Sequence, residues 1–283
     1  MHLRRLLLAT TVVTAITAVV GVVTAATGSG LTCEARWPLC DGAVFGLFPA
    51  NLMSFIEWSH RLVAMVTGFM ILGSAAAVWR SGGRRRTLLA VLAALLLTPL
   101  QIVFGAFTVL VEEFVFGYSI LVLTLHFGLA SLILSLLIAA TVWAYAETSP
   151  VSTTRIRQAG TAALFGFPIA VALTPRLFFI FGELAQLLYY GVGFGMFAAL
   201  VVMSLWGREL GLRAVPTAGG LAGLLVIGQL VLARRAFGDA GQLAILGVSF
   251  VAFGLTLAAV WRLRNLDSAP VAVPPPTDDQ ALD

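Results

Sequence analysis

Eight apolar stretches, each close to the length that crosses a bilayer, take up most of this chain. A spanning α-helix needs about 20 predominantly apolar residues, and inside hydrocarbon a helix satisfies its own backbone polar groups. The stretches run from about Leu6 to Ala26, Phe55 to Trp79, Thr87 to Leu110, Tyr118 to Tyr145, Ala159 to Thr174, Leu177 to Trp206 (with Glu183 as an alternative start), Val215 to Ala233 and Gly241 to Trp261. The expected fold is an all-α membrane protein with eight transmembrane helices, arranged as two pseudo-repeated four-helix bundles. Residues 1–146 form the first half and 147–264 the second. The tail, 265–283, holds the Pro274–Pro275–Pro276 run and several acids, and reads as a disordered cytoplasmic end. The repeat lies in helix count and hydropathy rather than in matching residues.

Composition agrees. The chain is 60% hydrophobic and only 11% charged, where a soluble domain carries about 25% charged residues. The net charge of +4 does not point to nucleic acid, because its arginines stand singly or in short clusters between apolar runs. There they set topology. Arg4, Arg5, Arg80, Arg84, Arg85, Arg86, Arg155, Arg157, Arg208, Arg213, Arg262 and Arg264 fall on one side of an eight-span arrangement; Arg36, Arg176, Arg234 and Arg235 fall on the other. This bias places both termini in the cytoplasm and the protein in the cell membrane, with Arg234–Arg235 the least comfortable pair. The basic start and the small residues Ala25 and Ala26 also suit a signal peptide, but the apolar stretch is too long and further spans follow.

In so apolar a chain, two cysteines and three histidines become informative. Cys33 and Cys40 lie in the long outer segment from about Thr27 to Ser54, in an oxidising compartment where a disulfide is the default state. The pair is either a structural staple or a redox-active element. Helix 2 opens Phe55-Ile56-Glu57-Trp58-Ser59-His60-Arg61, so Glu57 and His60 share one face. Ionisable groups within a membrane are costly and mark functional sites by default. The plainer alternatives are an interfacial carboxylate, a hydrogen-bonded core imidazole, and an Arg61 that snorkels outward or pairs with Glu57. His126 is a lone polar ring in helix 4. At a rise of ~1.5 Å per residue, His60 lies roughly 8–9 Å and His126 roughly 12 Å from the outer helix ends. Two imidazoles at similar depth on alternate helices can hold one flat metal macrocycle, and bundle cores house such cofactors. A zinc site wants three or four ligands. His2, at the cytoplasmic end, reads as inert. Glu112 and Glu113 read as a solvated turn, Gln101 as an interhelical hydrogen bond, and the Gly191–Gly195 and Gly219–Gly223 spacings as close helix packing.

The Gly28-Ser29-Gly30 turn, Cys33 through Trp37-Pro38-Leu39-Cys40, the Glu57-x-x-His60-Arg61 start of helix 2 and His126 together resemble the haem A synthase family. The resemblance covers about residues 1 to 145; beyond that only helix count and hydropathy match. It implies oxidation of a ring methyl of haem O to the formyl group of haem A, for use by terminal oxidases. It implies His60 and His126 as axial ligands of the haem iron, Glu57 acting at the reacting methyl by handling protons or stabilising positive charge, and a Cys33–Cys40 disulfide near the haem's outer edge. A haem O synthase is the implied partner, with a membrane electron acceptor. Eight-helix relatives commonly carry a second histidine pair for a haem B cofactor, but this second half contains no histidine. Depth-equivalent positions fall near Tyr189, Tyr190, Leu246 and Gly247. The expectation is a second half that serves as scaffold, with a homo-oligomer of haem-bearing first halves as the electron route. Three other classes compete: a b-type membrane cytochrome with the same two histidines, a thiol-redox membrane protein working through Cys33 and Cys40, and a transporter. No charged midplane site in broken helices of both halves supports the last.

Overall fold

The computed structural model describes residues 2–33, 36, 39–40, 43–44, 48–49, 51–147, 149–175, 177–178, 180–234 and 238–267, apart from 115–119. Expectations resting on Trp37, Pro38, Tyr118, Arg176, Arg235, the side chains of Glu112 and Glu113, and 268–283 lie outside the described residues. Helices account for nearly all of the remainder: α1 (His2–Thr27), α2 (Leu52–Arg80), α3 (Arg85–Phe114), α4 (Ile120–Ala146), α5 (Thr153–Ala172), α6 (Glu183–Glu209), α7 (Ala214–Leu232) and α8 (Gly238–Asp267). Between α1 and α2 lie a 3-10 turn, Ser29–Leu31, and a two-stranded antiparallel ribbon, β1 (Ala43–Val44) and β2 (Phe48–Pro49), with Ala43 opposite Pro49.

Local chemistry sets the helix ends. Asn51 caps α2 by accepting from the Ser54 backbone N–H at 2.9 Å, and Ser152 caps α5 by accepting from the Arg155 N–H at 3.3 Å. The Ser152 cap moves the start of α5 to Thr153, so Arg155 and Arg157 sit within its first turns rather than before a helix starting at Ala159. α6 starts at Glu183, the later of the two expected starts. α2 and α6 finish in the same way. Gly82 (φ 64°) and Gly211 (φ 67°) take the left-handed conformation, and the next N–H in each case bonds back to the last turn, Gly83 to Val78 and Leu212 to Gly207.

Among the described residues seven helices are long and apolar enough to cross a membrane: α1, α2, α3, α4, α6, α7 and α8. α5, at 20 residues with two arginines, is not among these seven. Large apolar side chains such as Leu96, Phe250, Trp79 and Phe69 are exposed on the outer surface, which suits a multi-pass membrane protein whose solvent is lipid.

The helices pack as two closed rings. α1 and α3 each lie against α2 and α4; α5 and α7 each lie against α6 and α8. α6 joins the rings by packing on α1 and α4. Lipid supplies little hydrophobic drive between helices, so hydroxyl pairs act as links. Thr10 meets Ser74 at 2.9 Å and Thr17 meets Thr67 at 2.7 Å, tying α1 to α2; Thr11 meets Thr141 at 2.8 Å, tying α1 to α4.

The two rings fill differently. One apolar cluster runs through the second ring from Leu263 to Tyr189 and Tyr190, and takes in Phe127, Leu134, Ile138 and Val142 of α4. The first ring's own clusters, around Leu7, Val78, Val91 and Ala140 and around Ile71, Ala94, Ile133 and Leu137, lie at the end away from the cysteine loop. At the loop end of that ring, among the described residues, polar groups replace the apolar cluster. The expected glycine packing holds for one pair only. A Cβ on Gly219 would meet Ser204 Oγ at 2.6 Å and one on Gly223 the Phe197 ring at 3.6 Å, whereas Gly191 and Gly195 face open space. The close contact in α6 is instead Gly193, where a Cβ would meet Leu230 at 2.4 Å.

Candidate functional site

The polar end of the first ring is assembled around Glu57, which is buried one turn before His60. Its Oε2 accepts the Cys33 backbone N–H at 2.7 Å and the Thr32 hydroxyl at 3.2 Å. Its Oε1 accepts from the Arg61 guanidinium, an ion pair one turn along the same helix. Cys33 and Cys40 form a disulfide, both buried, with a Cα–Cα distance of 4.5 Å. Both sulfurs rest on the Ser54 carbonyl oxygen, at 3.5 and 3.6 Å. Ser54, Glu57 and Arg61 lie three and four residues apart and therefore share a helix face. That face holds the disulfide loop down on the start of α2. The loop begins at Gly28, whose φ of 72° turns the chain out of α1 into the 3-10 turn.

The two histidines occupy matching seats. His60 of α2 lies over Gly21 of α1: a Cβ there would stand 2.8 Å from its Cε1 and 3.2 Å from its Nε2. His126 of α4 lies over Gly105 of α3, where a Cβ would stand 3.2 Å from its Cε1. α2 and α4 are diagonal in the ring, since each packs on both α1 and α3. Gln101 Nε2 lies 3.3 Å from His126 Nε2, the expected interhelical hydrogen bond. The Nδ1 atoms of both histidines are buried and lack a hydrogen-bond partner among the described residues. Buried polar atoms are nearly always paired. Two such atoms, on diagonal helices at the end of the ring that lacks an apolar cluster, suit a bound group that both imidazoles address.

Among its described residues the second ring presents no equivalent. Tyr189 and Tyr190 are buried, and their hydroxyls donate to the Gln229 carbonyl at 3.4 Å and the Leu230 carbonyl at 2.9 Å. Both phenols are thus engaged with the backbone of α7. Ser249 of α8 donates to Gln229 Oε1 at 2.7 Å. Among the described residues no group of three or more His, Cys, Asp or Glu gathers as a metal site.

Sequence reasoning singled out Glu57, His60, His126, Cys33 and Cys40, and the fold brings all five to one end of the first ring. It did not find Thr32, Ser54, Gly21 or Gly105. Ser54 had a readable signal, its three-residue spacing from Glu57. The two glycines had none, because their role depends on which helix lies opposite.

Residues 4–179 match the family of cytochrome oxidase assembly proteins, more than half of the chain and beyond α4 through α5. The haem A synthase of Bacillus licheniformis is 42% identical over 113 residues, 39% of this chain and 34% of that protein. The haem A synthase of Halalkalibacterium halodurans is 34% identical over 160 residues, 54% of this chain and 51% of its own. The protohaem IX farnesyltransferase of Halobacterium salinarum is 41% identical over 90 residues, 32% of this chain and 20% of that protein. The chain spans between 34% and 51% of the length of these two haem A synthases. The motifs, the membrane fold and the extent of the family match lead to one conclusion: this chain belongs to the family of cytochrome oxidase assembly proteins, among relatives named haem A synthase.

Proposed function

We propose that this protein is a haem A synthase, an oxidoreductase that converts a ring methyl of haem O to the formyl group of haem A. The observation that carries the reading is the pair of glycine-seated imidazoles, His60 and His126, on diagonal helices, each with a buried and unbonded Nδ1. These two residues would hold the haem iron through their imidazole nitrogens. When bound, the haem supplies both the reacting methyl and the redox-active iron. The chain's own contribution is placement and charge. Gln101 orients His126 through their hydrogen bond. Glu57 accepts from three donors, which holds its carboxyl group fixed one turn from His60. That arrangement supports stabilisation of developing positive charge over proton abstraction, since both oxygens are already occupied. The Cys33–Cys40 disulfide caps this end of the ring and fixes Glu57 through the Cys33 N–H.

The same reading covers the whole molecule. Residues 1–146 are the reacting half; 147–264 are a scaffold half that carries no haem B, its centre filled by Tyr189, Tyr190 and Leu230. Both halves descend from one four-helix plan, as the matching glycine ends of α2 and α6 suggest. All eight helices span, α5 included, with both termini cytoplasmic. A haem O synthase supplies the substrate; the likeness of part of this chain to proteins named protohaem IX farnesyltransferase supports that partnership. A membrane electron acceptor removes the electrons.

Cells that make haem O, with and without this protein, provide the test through extraction and chromatography of their haems. Appearance of haem A or its hydroxylated precursor establishes the activity. Haem B and haem O alone, with an active electron supply, would assign the same histidine pair to a b-type electron carrier instead.

A further inference from the structure

α4 belongs to the first ring and α5 to the second; both pack on α6 but scarcely on each other. Between them, at the end of the molecule away from the cysteine loop, lies a cleft of about 670 Å³ with α6 as its floor. Its polarity is graded. Tyr145 near the end of α4, Ser149 of the connection, Arg155 at the start of α5 and Trp206 in the last turn of α6 line its mouth. Gln158 follows one turn along α5, and Ala159, Ala199 and Val202 line the depth. Trp206, Val202 and Ala199 are four and three residues apart, so one stripe of α6 runs from mouth to depth. At a rise of ~1.5 Å per residue, Ala199 stands roughly 10 Å below Trp206. Arg155 is exposed, and its Nη1 donates to the Pro150 carbonyl at 3.3 Å. That bond uses one of the five N–H groups of a guanidinium. Glu147, the carboxylate nearest in sequence, is turned to Arg84 at 3.4 Å. The mouth of the cleft is therefore cationic.

The solvent of this multi-pass protein is lipid, and the gradient in the cleft is that of one lipid molecule. Tyrosine and tryptophan favour the boundary between headgroups and hydrocarbon. An arginine at that level attracts acidic lipids, and its planar fork matches a phosphate through paired N–H···O bonds. Below the mouth, the small side chains of Ala159, Ala199 and Val202 leave room for an acyl chain. A soluble anion would use the mouth without the depth, and an uncharged lipid the depth without Arg155. We propose that the cleft between α4 and α5 binds an acidic phospholipid, with its phosphate on Arg155 and an acyl chain along Val202 and Ala199. The lipid would join the two rings at their seam, where α4 and α5 themselves scarcely touch. The inference goes beyond the haem reading and needs only the membrane fold.

The test uses the full chain in neutral detergent, stripped of endogenous lipid. It is titrated with phosphatidylglycerol and with phosphatidylcholine of the same acyl chains, and bound lipid is counted by native mass spectrometry. The native protein should hold phosphatidylglycerol more tightly than phosphatidylcholine. Arg155→Gln should weaken phosphatidylglycerol roughly fivefold and leave phosphatidylcholine unchanged; Arg155→Lys, which keeps the charge without the fork, should lose less. Arg262→Gln, which removes an exposed arginine near the end of α8, should behave as the native protein. Ala199→Phe should keep native helix content by circular dichroism but lose phosphatidylglycerol, and it carries the comparison if Arg155→Gln does not fold. Equal affinity for the two lipids in the native protein overturns the inference. So does native-like phosphatidylglycerol binding in Arg155→Gln or Ala199→Phe, or an equal loss in Arg262→Gln. Glycerol phosphate should fail to displace the bound lipid; displacement would reassign the mouth to a soluble anion and overturn the lipid assignment. His60 and His126 stay intact in every arm, so the outcome is independent of the haem reading.

Discussion

On the proposed function Glu57 carries structure and chemistry in one carboxylate, and substitutions separate the two. Glutamine keeps an acceptor oxygen for Thr32 and the Cys33 N–H, but it removes the charge opposite Arg61. Glu57→Gln should therefore retain haem through His60 and His126, while haem A output falls by about 10²-fold or more, the scale of losing a preorganised charge at a reacting centre. Full haem A production by Glu57→Gln would remove the residue from the chemistry. The proposed ligands have a spectroscopic readout that does not depend on turnover. His60→Ala should convert a six-coordinate, bis-imidazole haem spectrum to a five-coordinate one or lose the haem altogether, and His126→Ala should do the same. An unchanged spectrum in either variant would strike that histidine from the ligand set.

Among the elements, α1 has the least obvious part. It carries no ionisable residue beyond its first turn, yet it supplies the seat for His60 at Gly21 and the hydroxyls that bind α2 and α4. Filling the seat should matter more than its small size suggests. Gly21→Leu places a branched side chain where even a Cβ stands 2.8 Å from the imidazole. Haem occupancy should drop sharply while helix content by circular dichroism stays native. Retained haem occupancy in Gly21→Leu would mean that His60 is not held there. The hydroxyl links act separately from the site. Interhelical hydrogen bonds in membranes contribute about 0.6 kcal/mol each, so replacing Thr10, Thr11 and Thr17 together by valine should cost roughly 2 kcal/mol in reversible unfolding in mixed micelles.

These elements also show where sequence reading succeeds and stops. Apolar length located the helices because a bilayer imposes its thickness directly on the chain, and the rare Cys, His and Glu residues stood out against that background. Ends were less legible. α5 begins at Thr153 because one serine side chain caps a backbone N–H, an effect that no hydropathy average contains. Glycine spacing misled in α6, where Gly193 packs while Gly191 and Gly195 face outward, because spacing fixes a face of the helix but not what lies across from it. Arg234 read as a misfit in the loop charge balance; its place beside Phe127 depends on how the two rings dock.

At the scale of the whole molecule, the halves differ in what fills them rather than in how their helices connect. In the first ring, the loop end holds histidines with unbonded nitrogens. In the second, tyrosines close onto the backbone of α7, and Leu230 occupies the space beside Gly193. A second haem would have to displace this packed core without a histidine to hold it. The stoichiometry should therefore be one haem per chain, measured as the pyridine haemochrome against amino-acid analysis, and His60→Ala/His126→Ala should bring it to zero. Two haems per chain would contradict the scaffold role directly. One haem per chain has a consequence for electron flow. On that reading the redox-active iron sits in the substrate itself, and electrons leaving it need a relay other than a haem of the second half. A neighbouring copy can present another first half at electron-transfer distance, so the active enzyme should be an oligomer in native membranes. Cross-linking in intact membranes, followed by mass measurement of the active species, checks this, and full activity in a strictly monomeric preparation would send the electrons directly to the membrane acceptor.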